Sequence, residues 1–543
     1  MKSRTGSISL SRQRRRDSPD FPNLMSHEGR RRVMKFFTPQ FQLIQWFCIT
    51  AFVFVVGRAD GAVPKSNVLF LCVDDMKDWV NCLGGYEGKV YTPNIDRLAE
   101  RGVLFTNAHC ASPKCAPSRA AILTGMRPST TGLYDNGHWW LPNLPNVVTI
   151  PQHFRNHGYR VAGAGKIFHH TAGNHPPNQW DEFRRLIFLE DPWFRGVKLN
   201  YPWSKHTPYP TGFPFSGVKR LGHENDWGSL PIEDHHYDDA VTANFAVEFL
   251  SLRTGESNAP FFLACGLFRP HLPWYVPQKY FDKYPLGEIV LPPVLGSDLD
   301  DLPTAALKLA KDRRGDFEII RNSDKWKHAI RAYLASITCA DDRIGQVLDA
   351  LDERPDADRT IIVLWSDHGW HLGEKLHWHK STLWEESTRV PFIVCAPGYR
   401  PGRCSHPVSL LDLYPTLNEL AGLDAVESHD GHSLIPLLRN PKAEWNRPAV
   451  IEYRRGNAAV RSEQYRFIRY HDGGEELYDH ENDPHEWKNL ITNQEHAAVR
   501  KELASWIAKE WAPSALTKAA FRFEPKAFTW TNKQSGQVTR GKD

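Results

Sequence analysis

Four apolar runs, each followed by charged or histidine side chains, constrain this 543-residue chain more than any other feature. They span residues 67–73, 159–164, 260–266 and 360–365. Unbroken apolar runs of this length read as strands buried on both faces, the signature of a parallel sheet covered by helices. A fifth run, 390–395, reads the same way. Helical patterns at 92–102, 149–158, 238–252 and 328–351 supply the crossovers that parallel strands need. In open α/β sheets the binding crevice lies outside the carboxyl ends of the strands. Asp74-Asp75, Lys166 with His169, His271 and Asp367-His368 follow the four runs. Strand ends of one sheet share an edge, so these residues can converge. Adjacent carboxylates such as Asp74 and Asp75 repel each other unless a cation neutralises them. Taken alone, the pair could equally cap a helix or sit in solvent.

The stretch 113–119, Pro-Lys-Cys-Ala-Pro-Ser-Arg, adds a fifth contributor. Pro117 suits the first turn of a helix, where its missing N–H costs nothing. The helix continues through 118–124, and Gly125 is a natural stop. Cys115 then stands at a helix N-terminus, where free N–H groups and the dipole favour an anion. Arg119 lies one turn further on the same face. A lone cysteine there could simply be a small buried residue. The longer pattern Cys115-Ala116-Pro117-Ser118-Arg119, running on to Thr124-Gly125 and Arg127-Pro128, resembles the signature of the sulfatase family. In that signature the cysteine is converted to formylglycine, an aldehyde that hydrates to a geminal diol. Val73-Asp74-Asp75, Pro93-Asn94-Ile95-Asp96, Gly165-Lys166-Ile167-Phe168-His169, Arg269-Pro270-His271-Leu272-Pro273 and Asp367-His368-Gly369-Trp370 are similar to further family stretches. The resemblance covers most of 67–511 and is narrowest with the iduronate-2-sulfatase branch.

The resemblance implies an alkaline-phosphatase-like α/β fold, a mostly parallel sheet flanked by helices. It implies a sulfuric ester hydrolase acting on sulfated polysaccharide or oligosaccharide, glycosaminoglycans included, with one calcium ion. Asp74, Asp75, Asp367 and His368 would be metal ligands, joined by modified Cys115. Arg119 would hold the diol, Lys166 and Lys380 would clamp sulfate oxygens, and His169 would orient the nucleophile. His271 would protonate the leaving sugar oxygen, with His377 as an extra. A formylglycine-generating enzyme would be the partner in maturation. A phosphonate monoesterase or phosphodiesterase of the same superfamily is the alternative, and a non-catalytic glycan-binding protein a second.

Composition adds limits. Residues 1–35 hold ten Lys/Arg and three acids, +7; the whole chain is +4, which leaves −3 for the rest. Basic charge is therefore no argument for nucleic acid. Residues 1–62 read as an export leader, with a largely apolar stretch over 41–57 and small residues near 59–62 for cleavage. This predicts a periplasmic or secreted protein, with an uncleaved membrane anchor as the alternative, and initiation at Met1 or Met34. Cys72, Cys82, Cys110, Cys265, Cys339, Cys395 and Cys404 show no metal-like spacing, and their odd number leaves at least one unpaired. His170, His175, His206, His223, His235 and His236 have no recurring ligand spacing. The catalytic domain is expected over 63–444. A small antiparallel subdomain follows over 445–512, closed by a helix at 494–511, then a basic, weakly structured tail over 513–543.

Overall fold

The computed structural model describes residues 65–185, 214–221, 225–229, 233–252, 259–311 and 315–542. The leader, Cys48, His206 and His223 lie outside the described residues, as does the side chain of His236.

The central sheet has eight strands: β1 (Asn67–Val73), β2 (Val103–Phe105), β3 (Arg160–Gly165), β4 (Glu182–Arg184), β5 (Phe261–Gly266), β6 (Thr360–Ser366), β7 (Phe392–Cys395) and β8 (Gly402–Cys404). Their spatial order is β8-β2-β7-β6-β1-β5-β3-β4. β6, β1, β5, β3 and β4 run parallel. Alternation along β1 explains the two cores: Val68, Phe70 and Cys72 face one apolar cluster, Leu69, Leu71 and Val73 the other. Helix α1 (Pro93–Arg101) precedes β2, and α2 (Cys115–Thr124) packs Ile122 and Leu123 into the first cluster. Helices α3 (Asp238–Ser251) and α4 (Trp326–Asp352) fill the second.

All five expected strands exist, but β7 runs antiparallel to β6 and β2. The link from β6 to β7 carries a short hairpin, His371–Leu372 with Trp378–His379, a 3-10 turn, Glu374–Leu376, and a one-turn helix, Glu385–Thr388, but no long crossover helix. A chain without a crossover returns antiparallel. The C-terminal end of β7 is thus at the edge opposite the other four, and it brings no chemistry to the rim.

The C-terminal antiparallel sheet is present as β9 (Ala449–Glu452), β10 (Ala458–Arg461), β11 (Tyr465–Arg469) and β12 (Glu475–Asp479). The closing helix is shorter than expected, Ala497–Ala504, because Trp506 and Ile507 fold back onto the Leu503 cluster. The tail is a correction. Residues 521–540 form a second antiparallel sheet, β13 (Phe521–Glu524), β14 (Thr529–Asn532) and β15 (Val538–Arg540). Phe521, Phe528 and Trp530 belong to the same core as Val68 and Trp139, and Trp530 is fully buried. Basic residues outnumber acids there, six to two over 513–543, but three aromatics decide the packing. All eight described cysteines are free thiols.

Candidate active site

The site forms where β1, β3, β5 and β6 end. Gly165 and Gly266 let β3 and β5 approach there: a Cβ on Gly165, at φ +80°, would lie 2.0 Å from the Gly266 carbonyl oxygen. Lys166 emerges at that point. At the end of β1, Asp75 adopts φ 61°, a left-handed conformation that aspartate tolerates. Its backbone is held on both sides: its N–H donates to Asp367 Oδ1 (3.1 Å), and Tyr333 Oη donates to its carbonyl (2.7 Å).

Cys115 is the first residue of α2, as the prolines and Gly125 predict. Asn136 Oδ1 accepts from Ala116 N (2.9 Å), and Ser118 Oγ donates to the Asp367 carbonyl (2.6 Å). These bonds pin the helix start to the end of β6. Around the thiol stand Lys380 Nζ (3.0 Å), His368 Nε2 (3.4 Å) and a hydrogen bond to His169. Burial alone would raise this thiol, but the charges of Lys166, Lys380 and His368 hold it well below the usual range.

Arg119 is fully buried and reaches both flanking carboxylates: Nε to Asp367 Oδ2 (2.9 Å) and Nη2 to Asp74 Oδ1 (3.0 Å). Its remaining bonds go to the carbonyls of Val73, Lys166 and Ile167 and to Cys72 Sγ. None goes to Cys115. Arg119 therefore ties three strand ends together. Lys166 pairs with Asp74, and Lys380 Nζ lies 2.6 Å from Asp75 Oδ1 and 5.3 Å over the Trp370 ring. His271, flanked by two prolines, has Nδ1 2.5 Å from the Leu272 carbonyl and Nε2 3.8 Å from Asp75 Oδ2. His377 turns away: its nitrogens face the carbonyls of Ala310 and Lys380, so it steadies the loop that carries Lys380.

Two overlapping groups have ligand atoms within 4.8 Å of one another: Asp74, Asp75, Cys115 and His271, and Asp75, Cys115, Asp367 and His368. Asp75 Oδ2 is buried and accepts no hydrogen bond. An orphaned carboxylate oxygen among two more buried carboxylates is costly unless a cation reaches it. Three hard carboxylates suit calcium. Burial raises Asp367 to about 6 despite Arg119. Burial lowers His368, but Asp367 and Asp75 outweigh it and carry the imidazole to about 8.

His170, weighed in the sequence only within a histidine group without ligand spacing, has its ring tilted against that of His169 (4.4 Å) and 6.0 Å from that of His271. Its signal was adjacency to His169 in the same run. The other described histidines of that group do not converge: His175 Nε2 accepts from Phe168 N, and His235 pairs with Glu233.

The comparisons with known proteins place the chain in a family. A family model described as "Sulfatase" matches residues 66–423, and one described as "N-sulphoglucosamine sulphohydrolase, C-terminal" matches 373–512. A "Sulfatase" of Formosa agariphila is 40% identical over 458 residues, covering 82% of this chain and 87% of that one. Human "Iduronate 2-sulfatase" is 31% identical, covering 67% and 70%. The solved structure of a 2-O GAG sulfatase aligns with TM-score 0.60 at 25% identity, over 81% of this chain and 90% of that one. A phosphonate monoester hydrolase from Silicibacter pomeroyi shares the fold, TM-score 0.67 at 23% identity, over 81% and 94%. The chain belongs to the sulfatase family and is a sulfuric ester hydrolase.

Proposed function

We propose that this enzyme hydrolyses sulfate esters of sulfated glycans in the manner of iduronate-2-sulfatase, using Cys115 matured to formylglycine and one calcium ion. The observation that carries the reading is the convergence of Asp74, Asp75, Cys115, Asp367 and His368, with one carboxylate oxygen left unsatisfied. Those five residues would hold the ion, residue 115 through its formylglycine oxygen once the Cys115 sulfur has been replaced. When present, the cation and the hydrated aldehyde supply an acidified hydroxyl able to attack sulfur.

The chain's own residues do the rest. Lys166 and Lys380 offer two buried ammonium groups to the ester's non-bridging oxygens, where charge is stabilised without reorganisation. His169 hydrogen-bonds the side chain at 115 and orients it. With Nδ1–H given to the Leu272 carbonyl, His271 in its imidazolium form would present its second proton on Nε2 to the leaving sugar oxygen, and is left as the neutral Nδ1–H imidazole. Arg119 keeps Asp74 and Asp367 at fixed separation. Burial of Asp74, Asp75 and Cys115 keeps bulk water from the reacting atoms.

The substrate class draws on the printed activities of the relatives, iduronate 2-sulfatase and the 2-O GAG sulfatase. Export is part of the proposal and rests on the composition of residues 1–62. Among the described residues no helix is long and apolar enough to cross a membrane. A formylglycine-generating enzyme would mature Cys115. The test is sulfate release from a panel of sulfated glycans, set beside a phosphonate monoester, with the intact mass of the Cys115 peptide. Faster turnover of the phosphonate, or an unmodified thiol in active protein, would refute the proposal.

A further inference from the structure

The segment beyond both matched family regions brings a cation to the mouth of the site. Residues 512–518 lace onto the chain that follows α2. Ala512 N donates to Ser129 O (2.8 Å), Ala515 N to Gly132 O (2.9 Å), Leu516 N to Asn143 Oδ1 (2.9 Å) and Lys518 N to Gly137 O (2.8 Å). This lacing sets Lys518 Nζ 2.7 Å from Thr171 Oγ1, two residues past His169, and 5.8 Å over the Trp139 ring. The charge of Lys518 is felt at His169, which itself bonds Cys115.

Among the described residues this ammonium has no counter-ion. Asp135 is the one acid whose charge acts on it appreciably, and that carboxylate is taken by Lys114 (2.6 Å) and Gly137 N (3.0 Å). Among the described residues no carboxylate lies within ion-pair distance of Lys518. Burial pulls its ammonium down to about 8, and Asp135 offsets only part of that. A half-buried cation with one neutral hydroxyl partner is costly unless a visiting anion completes it.

We infer that Lys518 is a specificity-determining residue that binds a second anionic group of the substrate, a further sulfate or a carboxylate, beside the ester being cut. This rests on the glycan reading above. It makes the last 30 or so residues of the chain part of substrate choice. It also assigns a use to a lysine that the reaction itself does not need.

The experiment measures binding by titration calorimetry to protein carrying Cys115→Ala. Three ligands are compared: inorganic sulfate, an unsaturated uronate–N-acetylglucosamine disaccharide sulfated at the uronate 2-O, and the same disaccharide with a second sulfate at the glucosamine 6-O. Lys518→Gln removes the charge but can keep a bond to Thr171. It should weaken one or both disaccharides about ten- to hundredfold while changing inorganic sulfate much less, the range of a charge-assisted hydrogen bond. Loss on both disaccharides marks the carboxylate as the partner; loss on the disulfated one alone marks the extra sulfate. Lys518→Arg should restore binding. Lys533→Gln, on the same small sheet with Nζ bonded to Ala519 O, should change nothing. Equal loss across all three ligands, no loss, or no disaccharide binding with Lys518 intact overturns the inference. A glycan panel that releases no sulfate sinks the preceding proposal instead. Sulfate release with unaltered preference in Lys518→Gln sinks this one alone.

Discussion

Two buried arginine–carboxylate clusters can be compared directly. Arg119 holds Asp74 and Asp367 at the end of the main sheet. Arg466 holds Glu385 and Glu486 where β11 meets the loop after β6, with Arg461 bonded to Glu385 (3.2 Å) and His480 to Glu486 (3.0 Å). Both arginines are fully buried. Both clusters adjoin potential ligand atoms within 4.8 Å of one another, four in each group at the catalytic site and three, from Glu385, His480 and Glu486, at the other. They differ in saturation. Glu486 also accepts from Glu385 N (3.0 Å), and two guanidinium groups occupy Glu385. Near Arg119, Asp75 Oδ2 remains without a donor. Proximity of acids therefore does not mark an ion site. An acceptor left over after the protein has made its own bonds does. The closed cluster fastens the C-terminal sheet to the catalytic strands; the open one is built to be completed from outside.

The contrast can be broken most sharply at Cys115. Cys115→Ala should reduce sulfate release by about 10⁴-fold or more, the scale of losing a nucleophile. Residual turnover within tenfold of the unaltered protein would show that the chemistry lies elsewhere. Next come the arginines. Arg119→Met and Arg466→Met should each destabilise by about 3–5 kcal/mol, because each strands buried carboxylates. Urea midpoints measure this, and calcium titration separates the two: only Arg119→Met should weaken calcium binding. Equal calcium affinities would erase the distinction between the clusters.

The histidines follow. His271→Ala should lower kcat on sugar sulfates about a hundred- to thousandfold. It should cost less on 4-nitrophenyl sulfate, whose leaving group needs no proton. His480→Ala should lower the melting temperature and leave kcat on the folded fraction near its original value. Calcium itself comes next: at a hundredfold excess over Kd it should stabilise by about 2.7 kcal/mol. Asp75→Asn should abolish that gain in thermal melts, and Glu486→Gln should not.

The smallest effect is the pH dependence of the metal-free protein. His368 titrates at about 8 in the fold, above the value of 6.5 for an unperturbed imidazole. Its contribution to stability is therefore complete below about pH 6.5 and lost as pH rises through about 8. A ligating imidazole must be neutral, so calcium binding near pH 7 should release a proton, detectable as buffer-dependent heat. Heat independent of the buffer would remove His368 from the coordination sphere.

What the sequence made legible was local. Asp74-Asp75, Cys115 and Asp367-His368 stand directly at the ends of apolar runs or at a helix start, so their address could be read from neighbours in the chain. Arg119 could be placed beside Cys115 but not assigned its bonds, because those reach 45 and 248 residues away. The direction of β7 depends on what the 367–391 link lacks, and periodicity cannot show that. The tail was misread because its charge is mostly basic and its apolar residues are scattered, while its order depends on Phe521, Phe523 and Trp530 meeting Trp139 almost 400 residues earlier. Lys518 was invisible for the same reason.

The whole of α2 is buried, Cys115 included at 1% exposure, and its first turn is clamped by Asn136 and Asp367. A catalyst that edits a side chain must grip several residues of extended backbone around it, and this helix offers none once the strands have closed. Any covalent alteration of Cys115 by another protein is thus an event in the life of the nascent chain. On the proposed formylglycine reading, a batch that folds before that encounter would stay inert, however long it later spends beside the catalyst.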